Sequence, residues 1–207
     1  LFNQHLLVSS SYFYHLISSK KRDYRNKREG LLPLQKEDIK NEKNSDILFI
    51  LGSGSSINKI SDRKWDQIEK HDSIGFNFWL IHDFIPNYFK FELDLSGRNK
   101  RTKYFYEMFD SKWHLYKDKL IIYNHFNTDK PVPNPIQKKL KDNQILYPKY
   151  INIPGKNLKT FNLGIKYFQK LGLDNNLLFA KRSSITMLIS FGIYAGYKKI
   201  ILCGIDL

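Results

Sequence analysis

Five consecutive apolar residues, Ile47-Leu48-Phe49-Ile50-Leu51, run straight into Gly52-Ser53-Gly54-Ser55-Ser56, with polar sequence on either side. A short apolar run bounded by turn residues suits a strand covered on both faces, as in a parallel sheet. Glycines at 52 and 54 let the backbone turn tightly and come close to a ligand. The hydroxyls of Ser53, Ser55 and Ser56, with nearby amides, offer donors to a phosphate. A lone G-x-G is a weak signal, so its meaning depends on what the rest of the chain builds around it.

The rest of the chain alternates strand and helix. Ser61 to His71 reads as a short helix capped by Ser61 or Asp62, with Trp65 and Ile68 toward a sheet. Asp72 to Trp79 reads as a second strand, Asn87 to Glu92 as a third and Leu120 to Tyr123 as a fourth. Between the last two, Arg98 to Lys119 is mainly helical, with Tyr104, Phe105, Phe109 and Trp113 as a core-facing aromatic stripe. Prolines at 131, 133, 135, 148 and 154 argue against long elements between Asn124 and Asn157, a stretch suited to a lid or an acceptor-binding segment. Leu158 to Leu171 is helical. Ser183 to Ala195 is an apolar helix with Gly196 as its C′ residue, feeding a strand over Lys199 to Cys203. This pattern predicts an α/β fold, a doubly wound, mainly parallel, Rossmann-like sheet flanked by helices.

Ahead of this domain, residues 1–45 read as a basic N-terminal extension or linker, and residues 46–207 as the domain itself. Leu1 to Ser19 allows a short helix that the serines at 9 to 11 weaken. Lys20, Lys21, Arg22, Arg25, Lys27 and Arg28 then follow in close succession, until Gly30 and Pro33 break the run. The formal charge of +14 implies attraction to anions: a phosphorylated substrate, an anionic membrane surface or nucleic acid. The hydrophobic content of 42% excludes a wholly disordered chain. No run approaches the ~18 apolar residues of a membrane span. The single cysteine, Cys203, sits in an apolar run and has no internal disulfide partner; a reducing cytoplasm fits.

Ligands of doubly wound sheets bind at the carboxyl ends of the strands, around a topological switch point. The polar residues directly after the predicted strands are therefore the candidates: Gly52, Ser53 and Gly54, then Asn77, Glu92, and finally Gly204 and Asp206. Ser183 and Ser184, opening the apolar helix, offer a hydroxyl and amides to a phosphate; Ser183 reads equally well as a plain N-cap. There is no H-E-x-x-H, no paired-cysteine zinc spacing, no Walker lysine motif and no G-x-S-x-G elbow. The G-S-G-S-S-I turn lacks the third glycine of a dinucleotide fingerprint, and His71, His82, His114 and His125 lack ligand spacing.

Three segments in matching order resemble the bacterial sialyltransferases of glycosyltransferase family 42. They are Gly52-Ser53-Gly54-Ser55-Ser56-Ile57, Gly75-Phe76-Asn77-Phe78-Trp79, and Gly196-Tyr197-Lys198-Lys199-Ile200-Ile201-Leu202-Cys203-Gly204-Ile205-Asp206. The family carries G-N-G-P-S-L, R-C-N-Q-F and G-Y-K-x-I-x-L-x-G-I-D in those places, and an R-I-T-S segment where Arg182-Ser183-Ser184 stands here. The resemblance implies a CMP-activated sugar donor, transfer with inversion, no metal or other cofactor, and a cell-surface glycan or glycolipid as acceptor. It implies that Gly52, Ser53, Gly54 and Asn77 lie against the cytidine nucleotide, with Ser184, Gly204 and Asp206 near its phosphate, ribose or sugar. Two positions depart from the family: Ser53 and Glu92 stand where it has asparagines. The donor sugar is thereby left open between sialic acid and another acidic sugar of the Kdo kind. The family's general-base histidine and phosphate-binding tyrosines lie beyond its G-I-D segment, so no catalytic residue is assigned and the chain reads as incomplete at its C-terminal side. The implied location is cytoplasmic, at the inner face of a bacterial membrane.

Two other readings compete. A magnesium-dependent, pterin-diphosphokinase-like enzyme shares the glycine turn and the last aspartate. A nucleic-acid-binding module would use the positive charge, but the basic residues are spread along the chain and form no recognisable motif.

Overall fold

The computed structural model describes residues 2–92, 100–124, 132, 134–139, 145–153, 157–170, 177–180 and 183–206. The predicted run is a buried strand: Ile47–Leu51 (β2) has four of its five residues buried. On one side β2 pairs with Asp72–Phe76 (β3), and the sheet continues through Tyr88–Phe91 (β4), Leu120–Tyr123 (β5), Ile145–Tyr147 (β6) and the edge pair Leu32–Pro33 (β1). On its other side β2 pairs with Lys199–Cys203 (β9). The seven strands are ordered β1-β6-β5-β4-β3-β2-β9, and every pairing is parallel. The chain therefore lays strands from β2 toward β6 and then returns to the opposite flank of β2. The β2/β9 junction is the topological switch point. Tyr150–Asn152 (β7) and Leu178–Ala180 (β8) make a separate parallel pair.

Side chains alternate across a strand, so each strand feeds two cores. Phe49, Leu51, Phe89, Phe91, Ile121 and Tyr123 face one layer, packed with Phe105 and Phe109 of the helix Lys100–Ser111 (α4) and Ile68 of Asp62–Glu69 (α3). Leu48, Ile50, Ile74, Tyr88, Leu120 and Ile122 face the other, covered by Met187, Leu188 and Phe191 of Ser184–Tyr194 (α8) and Ile39 of Lys36–Glu42 (α2). Residues 88 and 90 share a face, which sends Lys90 of the aromatic strand β4 toward α8. Of the predicted aromatic stripe, Phe105 and Phe109 are fully buried and Trp113 packs beside them, whereas Tyr104 turns to solvent.

Several boundaries differ from those read in the sequence. The second strand stops at Phe76 because Asn77 takes a left-handed φ of 54° and starts a 3-10 turn over Asn77–Ile81. The helix expected through Lys119 breaks at Lys112, leaving Trp113–Tyr116 (α5) as a separate turn. The N-terminal helix does not fade at its serines: Phe2–Arg28 (α1) is continuous. Ser19, Arg22 and Asn26 line its inner face, where Ser19 and Arg22 bond Tyr150, and that docking outweighs weak local propensity. The stretch read as a basic extension or linker thus holds α1, the edge strand β1 and α2, with Ile39 at 0% exposure. In the proline-rich stretch, Asn134–Gln137 (α6), β6 and β7 are short elements. Residues 125–131, 133, 140–144 and 154–156 of that stretch lie outside the described residues, as do Arg98, His125 and Arg182. Leu158–Lys170 (α7) matches its predicted helix. Among the described residues no helix is long and apolar enough to cross a membrane.

Candidate functional site

At the switch point the turns after β2 and β9 lie backbone against backbone. The Gly52 amide donates to the Cys203 carbonyl (2.8 Å) and the Gly54 amide to the Gly204 carbonyl (2.9 Å). A Cβ on Gly52 or on Gly54 would stand 2.6 Å from the Gly204 carbonyl oxygen, and one on Gly204 would stand 2.2 Å from that of Gly52. Gly204 also has a φ of 64°, a region that favours glycine. The G-x-G signal here serves the contact between two turns, and both glycine amides are already bonded.

Asp206 closes the same junction. Its carboxylate accepts the Ser55 hydroxyl (3.1 Å), the Ser56 amide (3.0 Å) and the Ser56 hydroxyl. These bonds, those from Ser56 foremost, hold Asp206 below the usual carboxylate range although it is exposed. The anion held by the serine-rich turn is the chain's own aspartate. Ser53 alone of the three turn serines faces solvent with no bond to the last turn.

A second cluster lies at the ends of β3, β4 and β5. Lys90, with a fully buried side chain, forms an ion pair with Glu92 and donates to the Ser184 hydroxyl (3.1 Å). The Ser184 hydroxyl in turn donates a hydrogen bond to Glu92 and accepts a long one from the Asn77 amide (3.5 Å). The Asn77 side-chain oxygen accepts the Glu92 backbone N–H (3.2 Å), and the Asn124 amide donates to the Glu92 carboxylate (3.2 Å). Desolvation depresses the Lys90 ammonium to about 8, with Glu92 opposing the shift.

From Asn124 the network continues outward to the N-terminal helix. Asn124 hydrogen-bonds Tyr150, whose hydroxyl accepts from Arg22 (2.8 Å) while its carbonyl accepts from Arg22 (3.1 Å) and Ser19 (2.9 Å). The Arg22 guanidinium also lies 3.8 Å from the centre of the Tyr150 ring.

The structure thus brings the predicted residues together in two groups on one edge of the sheet. Gly52, Gly54, Gly204 and Asp206 meet at the switch point; Asn77, Glu92 and Ser184 meet next to it, one strand over. Ser183 joins neither group: its side chain accepts the Ile185 amide (3.2 Å) as an N-cap. Tyr197, within the third resembling segment, works at the opposite edge, where its hydroxyl donates to buried Asp72 (2.8 Å). His71 accepts or donates at Ser45 (2.9 Å) and stacks on Phe49, His82 stacks on Trp79, and His114 meets the Ser111 carbonyl (3.1 Å).

Sequence reasoning missed Lys90, Asn124, Tyr150 and Arg22. Two of them had a signal. A lysine inside Tyr88-Phe89-Lys90-Phe91, in a strand buried on both faces, needs a buried partner. Asn124 is the polar residue directly after β5, the same position that singled out Asn77. Tyr150 and Arg22 depend on the docking of α1 and had none.

Two cavities lie elsewhere. One of about 180 Å³ sits at the amino edge of the sheet, between Asp38, Glu42, Asp118 and Leu146. One of about 240 Å³ is apolar and lies between α7, β8 and α8, beside Phe161, Phe179 and Ile189. Neither is lined by a predicted site residue. No model of a known protein family matches the chain, and no curated protein matches it.

Proposed function

We propose that the carboxyl edge around the β2/β9 junction binds the nucleotide of a CMP-activated acidic sugar, and that the chain belongs to a glycosyltransferase resembling the bacterial sialyltransferases. The observation that carries this reading is convergence. Gly52–Gly54, Asn77, Ser184 and Gly204–Asp206, far apart in the chain, come from the three resembling segments and the α8 start, and all of them lie on one edge. In this reading Ser53 meets the cytidine nucleotide at the first turn, because the Gly52 and Gly54 amides are committed to the last one. Asn77, held by Ser184 and Glu92, forms the neighbouring wall. Glu92, in place of the family's asparagine, bears on the donor sugar, sialic acid or a Kdo-like relative.

The reaction is a direct displacement. The acceptor hydroxyl of a glycan or glycolipid attacks the anomeric carbon, the bond from that carbon to the phosphate oxygen breaks, and CMP leaves with the electron pair. Hydrogen-bond donors and cations stabilise the leaving phosphate. A base must take the acceptor's proton. Lys90 is not given that role, since Glu92 and Ser184 enclose its ammonium.

Titration calorimetry with CMP, CTP and ATP, with and without magnesium, tests the proposal. Binding of CMP or CTP without metal, in preference to ATP, is the expected result. Magnesium-dependent ATP binding with no cytidine preference would overturn it in favour of a diphosphokinase-like enzyme.

A further inference from the structure

Among its described side chains, α1 meets the domain by one face. Its inner side carries Ser19, Arg22 and Asn26, buried or half-buried, with Ser19 and Arg22 on Tyr150. The outer side is unusual for a surface helix. Phe13, Tyr14, Ile17 and Tyr24 are 58%, 68%, 55% and 70% exposed. Lys20, Lys21, Lys27 and Arg28 are exposed among them. At 100° per residue these eight positions fall within an arc of ~140°, so apolar and cationic side chains share one face rather than opposite ones. The arc holds no carboxylate. Asp23 lies at its flank, turned to Lys27 (3.1 Å) and the Tyr147 hydroxyl, and Glu29 follows the helix end beside Arg28 (3.8 Å).

We propose that this face of α1 seats the protein on an anionic bilayer surface. Charge and chemistry single out that partner. Lys and Arg are attracted to anionic headgroups, while Tyr and Phe rings and Ile17 gain by entering the headgroup–acyl boundary. Nucleic acid would use the same cations. However, a single strand is held in a charged groove with bases stacked on aromatics, whereas this face is a convex ridge that includes an isoleucine. A second copy of the chain would bring four cations against four. The inference does not rest on the nucleotide reading, and either can fall alone.

Flotation of the intact chain with vesicles tests it, comparing phosphatidylcholine alone with mixtures containing phosphatidylglycerol, at low and high salt. The chain is expected to float with the anionic vesicles and to be released by salt. Lys20→Glu/Lys21→Glu is expected to lower partitioning at least about 25-fold, at roughly fivefold for each cation near the surface. Ile17→Ser/Tyr24→Ser is expected to lower it with the charge unchanged. All four positions are exposed, and titration of each variant with CMP checks that the nucleotide reading stands or falls separately. Equal binding to neutral and anionic vesicles, or variants that float like the parent, would overturn the proposal. So would variants that keep vesicle binding but lose binding to a single-stranded RNA oligonucleotide, or lose a dimer seen by sedimentation.

Discussion

Lys90, flanked in sequence by Phe89 and Phe91 but facing the other side of the sheet, survives with a fully buried side chain because Glu92 and Ser184 meet it there. Removing one partner of a buried pair leaves the other uncompensated, a cost of about 3–5 kcal/mol. Glu92 retains some solvent contact, its side chain being 14% exposed, and keeps Asn124. Lys90→Met should therefore destabilise toward the lower end of that range, and Lys90→Met/Glu92→Gln should recover much of the loss; urea denaturation measures both. The pH dependence has a definite sign. The folded value of about 8 lies below the ordinary lysine value of 10.5, so between those limits the unfolded chain binds more protons than the folded one. The cost of burying the charged lysine is complete below pH 8 and disappears as pH rises through 10.5. Relative to Lys90→Met, the parent should thus gain stability across that window, by an amount on the order of 3 kcal/mol. A flat difference would place Lys90 in a far wetter environment. The same strand illustrates what single residues disclose: a lysine among aromatics announces a buried pair, but its partner Ser184 stands 94 residues away and only the fold supplies it.

Elements with a long period or a strong boundary signal were legible. β2, β5 and β9 follow continuous apolar runs, and α8 begins at a serine N-cap and ends before Gly196, whose φ is 72°. β1, β6, β7 and β8 were not, because strands of two or three residues carry no periodicity and their existence depends on a neighbour's open edge. The full length of α1 was hidden for a related reason. Its serines weaken it locally, and the compensating contacts come from β7 and α7, more than a hundred residues on. Arg22 is the principal tie, since it bonds both the hydroxyl and the carbonyl of Tyr150. Hydrogen bonds to a charged group contribute about 1.5–3 kcal/mol each. Arg22→Ala should therefore cost about 2 kcal/mol or more, and should speed amide exchange through residues 9–28 while β2 to β5 keep their protection. Uniform loss of protection across the sheet would mean that α1 is a structural part of the core rather than an element docked upon it.

Across the whole molecule, the sheet order decides which strand ends a ligand at the carboxyl edge can reach. Among the described residues β9 is an edge strand: it pairs with β2 alone, and Leu202 is 45% exposed on it. Five register pairs, the stacked glycine turns, and Asp206 across Ser55 and Ser56 hold it in place. An edge strand with half-exposed side chains should open before the strands buried on both faces, so β9 should show the least amide protection of β2, β3, β4, β5 and β9. The proposed nucleotide spans this weakest seam, between the turn after β2 and the turn after β9. A ligand bound there stabilises the closed junction by mass action, and CMP should slow exchange in residues 52–57 and 199–206 more than anywhere else in the sheet. Asp206→Ala frees the Ser55 and Ser56 hydroxyls and loosens one end of the seam without touching either core. It should weaken CMP binding and raise exchange in β9, while β3 to β5 exchange as before. Unchanged CMP affinity in this folded variant would remove the junction from the site and leave the Asn77, Glu92 and Ser184 cluster as the remaining candidate.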